Sequence, residues 1–178
     1  MAAGAGECLS PVALPNLGAG GTMSRAFVKE SDEEDVSALP ERPVSEHPNL
    51  VTPAGLQQIE ARIRALESER ETARAAEDKG ALARIARDLR YWNARRANAR
   101  VIEPATERPD TVRFGMRVTV RFEDGTERSF RLVGEDEADP PRGAVSWVSP
   151  VATALLGRSE GERVNVVGRD AEIVLIEA

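Results

Sequence analysis

Residues 52–99 read TPAGLQQIEARIRALESERETARAAEDKGALARIARDLRYWNARRANA, and the spacing of their apolar side chains decides the fold. Leu56, Ile59, Ile63 and Leu66 fall at intervals of 3, 4 and 3, and the phase continues through Arg70 and Ala73. After Glu77-Asp78-Lys79-Gly80 the series restarts as Leu82, Ile85, Leu89 and Trp92, then Arg96 and Ala99, at the same intervals. This is the seam of two helices that pack by interdigitating a and d positions. If the chain reverses near residue 79, the numbers of facing positions must have a constant sum. Leu66 then meets Trp92, Ile59 meets Ala99 and Ala73 meets Ile85, while Arg70 meets Leu89 and Ile63 meets Arg96 one step away. The register holds along the whole length, so residues 51–103 are expected to form an antiparallel helical hairpin, a short coiled coil. Thr52 suits the N-cap, and Pro53 suits the first helical position, where its missing N–H is not needed.

The two helices differ in charge. Between Pro53 and Asp78 there are six acids and four arginines. From Ala81 to Arg100 there are six arginines against the single acid Asp88. An ion-paired helical surface accounts for this. A sharper reading makes Arg84, Arg87 and Arg90 a basic stripe that meets nucleic acid held by a partner.

Upstream, residues 1–22 are rich in Gly, Ala and Pro with one charged residue, and are expected to be disordered. Met23 precedes Ser24-Arg25-Ala26-Phe27-Val28-Lys29-Glu30 and is a candidate start. Residues 24–50 carry seven acids, among them Glu30, Asp32, Glu33, Glu34 and Asp35, against three basic residues. They read as an acidic tail, so residues 1–50 are taken as a disordered leader.

Downstream, residues 104–110 read as a linker, and from Thr111 the period becomes about two. Val118–Phe122 alternates, Asp124-Gly125 is a hairpin turn, and Arg128–Val133 returns. An acidic loop, Gly134–Pro141, leads to a strand near Ala144–Val148. Ser149 then caps a short helix, Val151–Leu156, with Pro150 at its first position and Gly157 as its stop. Glu162–Val167 and Ala171–Ile176 close the domain. The fold class is α+β, with residues 111–178 forming a small antiparallel sheet domain around one short helix.

Composition excludes several function classes. With only Cys8 and His47, the chain has few soft ligands for a zinc site and no plausible nucleophile–histidine arrangement. A lone cysteine and the absence of an apolar run of membrane-spanning length suggest a cytoplasmic protein. The net charge of −6 opposes general affinity for nucleic acid.

Three strings carry a resemblance: Phe114-Gly115, Val133-Gly134-Glu135-Asp136-Glu137-Ala138-Asp139, and Ser149-Pro150-Val151-Ala152-Thr153-Ala154-Leu155-Leu156-Gly157. In that order and at these separations they resemble the C-terminal domain of the GreA/GreB family of transcription elongation factors. Thr52-Pro53-Ala54-Gly55-Leu56 and Ala99-Arg100-Val101-Ile102 resemble the two ends of that family's helical arm. The Ser24–Glu30 leader is similar to one found on some members. The resemblance implies an FKBP-like C-terminal domain docked at the rim of the RNA polymerase secondary channel, with the arm entering it. It maps docking onto Asp136, Glu137, Ser149, Pro150, Ala152, Leu155 and Gly157. Ser149 and Pro150 also read as simple capping, and Leu155 as core. A calcium site in the acidic loop lacks the EF-hand spacing and its closing Glu.

The tip departs from the family's pattern. Cleavage-stimulating members carry an Asp-x-x-Glu pair there, which helps hold a second Mg²⁺ in the polymerase active site. Here Glu77 and Asp78 are adjacent, so on a helix they would diverge by about 100°. Asp78 is also placed to cap the second helix. The 25 residues from Pro53 to Glu77 make an arm of about 37 Å at ~1.5 Å per residue. By the resemblance it lacks roughly 16 residues, about 8 per helix or ~12 Å. The expectation is a monomeric, non-enzymatic polymerase-binding protein without cofactor, metal or membrane contact. It would reach nucleic acid only through the polymerase and modulate elongation without stimulating cleavage. The alternatives are a cleavage factor acting through Glu77 and Asp78, a protein like the regulator of nucleoside diphosphate kinase, and an FKBP-like prolyl isomerase. The last needs an aromatic pocket, for which Phe114, Phe122, Phe130 and Trp147 are too few.

Overall fold

A computed structural model describes residues 39–104 and 110–178. The readings of residues 1–38, including Met23 and the acidic run, and of linker residues 105–109 lie outside the described residues. The fold is mixed helix and sheet.

Strand β1 (Asn49–Val51) leads into helix α1 (Pro53–Ala75), and helix α2 (Lys79–Ala97) follows. Strand β2 (Ala99–Val101) then pairs in parallel with β1 at the base of the helices. Both helices begin on side-chain caps, because short oxygen-bearing side chains satisfy otherwise free N–H groups. Thr52 accepts from Gly55 N at 3.0 Å, and Asp78 accepts from Ala81 N at 2.8 Å. Ile59, Ile63, Leu66, Ala73, Ile85 and Leu89 are buried together, with Leu56, Leu82 and Trp92 packed against them. The seam shifts by one residue at its base: Arg95 is buried and Arg96 exposed. Arg95 is drawn inward by acids of the sheet domain, described below.

α1 ends with Glu77 N–H donating to Arg74 O and Asp78 N–H to Ala73 O, while Glu77 stands at φ +53°. This is a Schellman closure with Glu where glycine is the usual occupant. Glu77 and Asp78 therefore lie in the turn between the helices, and the divergence expected of neighbours on a helix face does not apply to them. A second non-glycine, Val167, has φ +51° before Gly168 at +81°, a two-residue turn joining paired Val166 and Arg169. Side chains in this region clash with the following carbonyl. Glu77→Gly and Val167→Asn are each expected to raise stability by about 1 kcal/mol in urea unfolding. A loss of stability in both would contradict the turn geometry.

The sheet domain contains β3 (Arg117–Phe122), β4 (Glu127–Val133), β5 (Ala144–Ser146), helix α3 (Pro150–Leu155), β6 (Arg163–Val166) and β7 (Arg169–Glu177). The strand order is β5-β4-β3-β7-β6. The sheet is not wholly antiparallel as expected: β5 runs parallel to β4. The intervening loop makes two 3₁₀ turns, Glu135–Glu137 and Pro140–Arg142, and Gly143 at φ +78° re-aims the chain before β5. The loop doubles back by only two residues, so that Ala144 lies beside Arg131 and Ser146 beside Val133, where a tight turn would have reversed the strand direction. A bulge between Thr119 and Val120 in the β3–β7 register curls the sheet. α3 closes its concave side, with Ala152 and Leu155 buried among Val118, Val120, Leu132 and Ile173.

Residues 39–50 were expected to belong to the disordered leader, yet their side chains make defined contacts. The Arg42 guanidinium lies 3.9 Å from the Tyr91 ring centroid, Glu41 pairs with Arg90 at 2.5 Å, and His47 sits edge-on to Trp147. Strand pairing begins at Asn49, whose side chain donates to Arg95 O at 2.7 Å.

Candidate functional site

The helix pair and the sheet domain have separate apolar cores, and the acidic loop lies between them. Gly134 packs so closely on β1 that a Cβ there would come 2.6 Å from Leu50 O. The 3₁₀ turn that follows directs two carboxylates at the base of the helices. Glu137 Oε1 accepts from Thr52 N at 2.9 Å and from Gly134 N at 3.2 Å, and Oε2 accepts from the Thr52 hydroxyl at 2.5 Å. Asp136 Oδ1 accepts from the Tyr91 hydroxyl at 2.9 Å and Oδ2 from Arg95 Nε at 2.6 Å. Glu135 adds a longer contact to Arg95 Nη2 at 3.3 Å. α1 is thus tied at its N-cap and α2 in its last turn.

The electrostatics follow from burial. The Arg95 side chain is 2 % exposed and that of Asp136 10 %. Burial pulls the Arg95 guanidinium down, but the hydrogen bond and charge of Asp136, aided by Tyr91 and Glu135, leave it above its ordinary value. Burial also raises the Tyr91 hydroxyl, and its bond to Asp136 raises it further. A neutral phenol and a charged guanidinium therefore share one carboxylate. Such charge-assisted bonds are short and directional.

The other residues singled out from the sequence are dispersed. Ser149 caps α3, accepting from Ala152 N at 3.2 Å, and Pro150 and Gly157 are exposed. Ala152 and Leu155 are fully buried, so their side chains offer a partner no surface. Glu77 and Asp78 are exposed at the far end of the helix pair. Of the arginine stripe, Arg90 bonds to Glu41 and Arg87 to Asp88, while Arg84 is exposed. Phe122 belongs to the core and Phe130 packs against it, which takes both from any aromatic pocket. Among the described residues, no helix is long and apolar enough to cross a membrane.

Sequence reasoning missed Thr52, Gly55, Tyr91 and Arg95 as partners of the acidic loop. One signal was present. Thr52-Pro53-Ala54-Gly55 starts a helix as a capping box does, but has glycine where the returning Glu or Gln belongs.

The sequence model of a family described as "Transcription elongation factor, GreA/GreB, C-term" matches residues 106–177. A transcription elongation factor GreA of Desulfovibrio desulfuricans is 42% identical over 79 residues, 44% of this chain and 49% of that protein. Another, from Acidiphilium cryptum, is 33% identical over 135 residues, 65% of this chain and 86% of that one. The match thus spans about half the length of the first relative and most of the second. A crystal structure of GreA factor homolog 1 of Thermus thermophilus aligns over 74% of this chain and 100% of that one, at 19% identity and a TM-score of 0.36.

Proposed function

The chain belongs to the GreA/GreB family, and from that premise we propose that it binds RNA polymerase at the secondary channel and modulates elongation without stimulating transcript cleavage. In this reading the sheet domain is FKBP-like and docks at the channel rim. The helix pair is an antiparallel coiled-coil arm that enters the channel. The exposed surface around Ser149, Pro150 and Gly157 does the docking, because Ala152 and Leu155 are core and the acidic loop is engaged within the chain. The protein acts by occupying the channel and performs no chemistry itself.

The tip carries the non-cleaving part of this proposal. The 23 residues of α1 extend about 35 Å at ~1.5 Å per residue. A deficit of ~12 Å relative to cleavage factors exceeds what a carboxylate side chain can span. Asp78 is also committed to Ala81 N as the cap of α2. The cap occupies one oxygen of Asp78, and the adjacent pair Glu77-Asp78, set in a turn, does not reproduce the Asp-x-x-Glu spacing that the family's cleavage chemistry uses.

Backtracked elongation complexes test the proposal. Purified protein is expected to bind them and shift elongation or pausing without releasing short RNA. Pro150→Ala is expected to weaken that binding at least tenfold. Dinucleotide release that disappears in the Glu77→Ala, Asp78→Ala double variant would overturn the non-cleaving reading.

A further inference from the structure

A helix that starts on Ser or Thr commonly completes its cap from within: the cap oxygen accepts from the third residue, and a Glu or Gln there reaches back to the cap's own N–H. α1 has only the first half. Thr52 accepts from Gly55 N, and Gly55 has no side chain with which to return the bond. The returning carboxylate is that of Glu137, which lies 85 residues away in sequence. It also occupies the space that a side chain at position 55 would need, since a Cβ on Gly55 would come 2.1 Å from the Glu137 carboxyl carbon. The missing side chain and the carboxylate that replaces it are complementary.

We infer that this divided capping box is a positioning device, in which Glu137, admitted by Gly55, fixes the direction in which the helix pair leaves the sheet domain. A single attachment would leave a hinge. The second attachment, Arg95 to Asp136, lies on the other helix, so rotation about either one is opposed by the other. Both carboxylates spend both oxygens within the chain. Asp136 and Glu137 are therefore positioning residues, not the docking contacts that the family resemblance assigns. The consequence for polymerase rests on the function proposed above, but the positioning is a property of the free protein.

The decisive variant is Gly55→Glu. It gives α1 a complete capping box of its own and expels Glu137, so the helix keeps its cap while the attachment is lost. Glu137→Ala removes the same attachment from the other side. Spin labels at Ala75→Cys and Arg128→Cys, in a Cys8→Ser background, report the distance between the arm and the sheet domain by double electron–electron resonance. The parent should give one narrow distance distribution. Both variants should lose it for a broad one, with unchanged helical circular dichroism in Gly55→Glu. A distribution that stays narrow in both variants would overturn the inference. In binding assays, Gly55→Glu should retain polymerase binding within about threefold while losing most of the effect on elongation. Loss of binding in Glu137→Ala with the narrow distribution intact would make Glu137 a direct contact and also overturn it. Failure of the parent to bind polymerase would sink only the functional proposal, because the distance measurement needs no polymerase.

Discussion

Arg95→Met is expected to destabilise the protein by about 3–5 kcal/mol, the usual consequence of removing one partner from a buried ion pair. Arg95 is 2 % exposed, and methionine keeps most of its apolar stem while deleting the guanidinium. What remains is the Asp136 carboxylate, 10 % exposed, with the Tyr91 hydroxyl as its surviving side-chain donor. The stranded charge, more than the lost contact, sets the size of the effect. At about 2–4 °C per kcal/mol for a chain of this size, the melting temperature should fall by roughly 10 °C. Replacing both partners tests the cause. Arg95→Met with Asp136→Leu should be far less destabilised than the two single variants together, because no charge is left unpaired. Urea unfolding of the four proteins of this cycle reads the coupling directly. Additive losses would mean that the pair is solvated.

Leu155→Ala should cost about 3 kcal/mol, within the range for truncating a fully buried leucine. The family resemblance places Leu155 on the docking surface, but its side chain has no exposed area and packs inside the sheet. The variant should therefore unfold earlier while still binding polymerase within about twofold at temperatures where it remains folded. Pro150→Ala, at an exposed position, is expected to change stability by less than about 0.5 kcal/mol. The two variants separate core from surface within one short motif. A Leu155→Ala protein of undiminished stability that fails to bind would reverse the assignment.

Much of the fold was legible because it depends on local chemistry. The caps at Thr52, Asp78 and Ser149 could be read because an oxygen three residues ahead of a free N–H acts within one turn. The change from 3-4 spacing to alternation separated helices from strands, since each period follows from backbone geometry. Where two elements compete for one residue, local reading failed. Arg96 fits the seam by spacing, yet Arg95 is the buried one because a carboxylate from a distant loop draws it in. β1 and β2 are three residues each, too short for a periodic signal, and they form only because the helices bring their ends together. β5 runs parallel because the loop before it folds back to set Ala144 beside Arg131, and no residue of β5 itself encodes that direction.

The acidic loop is the clearest case. Local residue order shows that Glu135, Asp136, Glu137 and Asp139 cluster beside a capped helix, and that Thr52-Pro53-Ala54-Gly55 begins another. That these two segments belong together emerges only in the folded chain, where Glu137 meets Thr52. A carboxylate satisfies whichever donors lie within about 3 Å, and which donors those are depends on chain segments that are far apart in sequence.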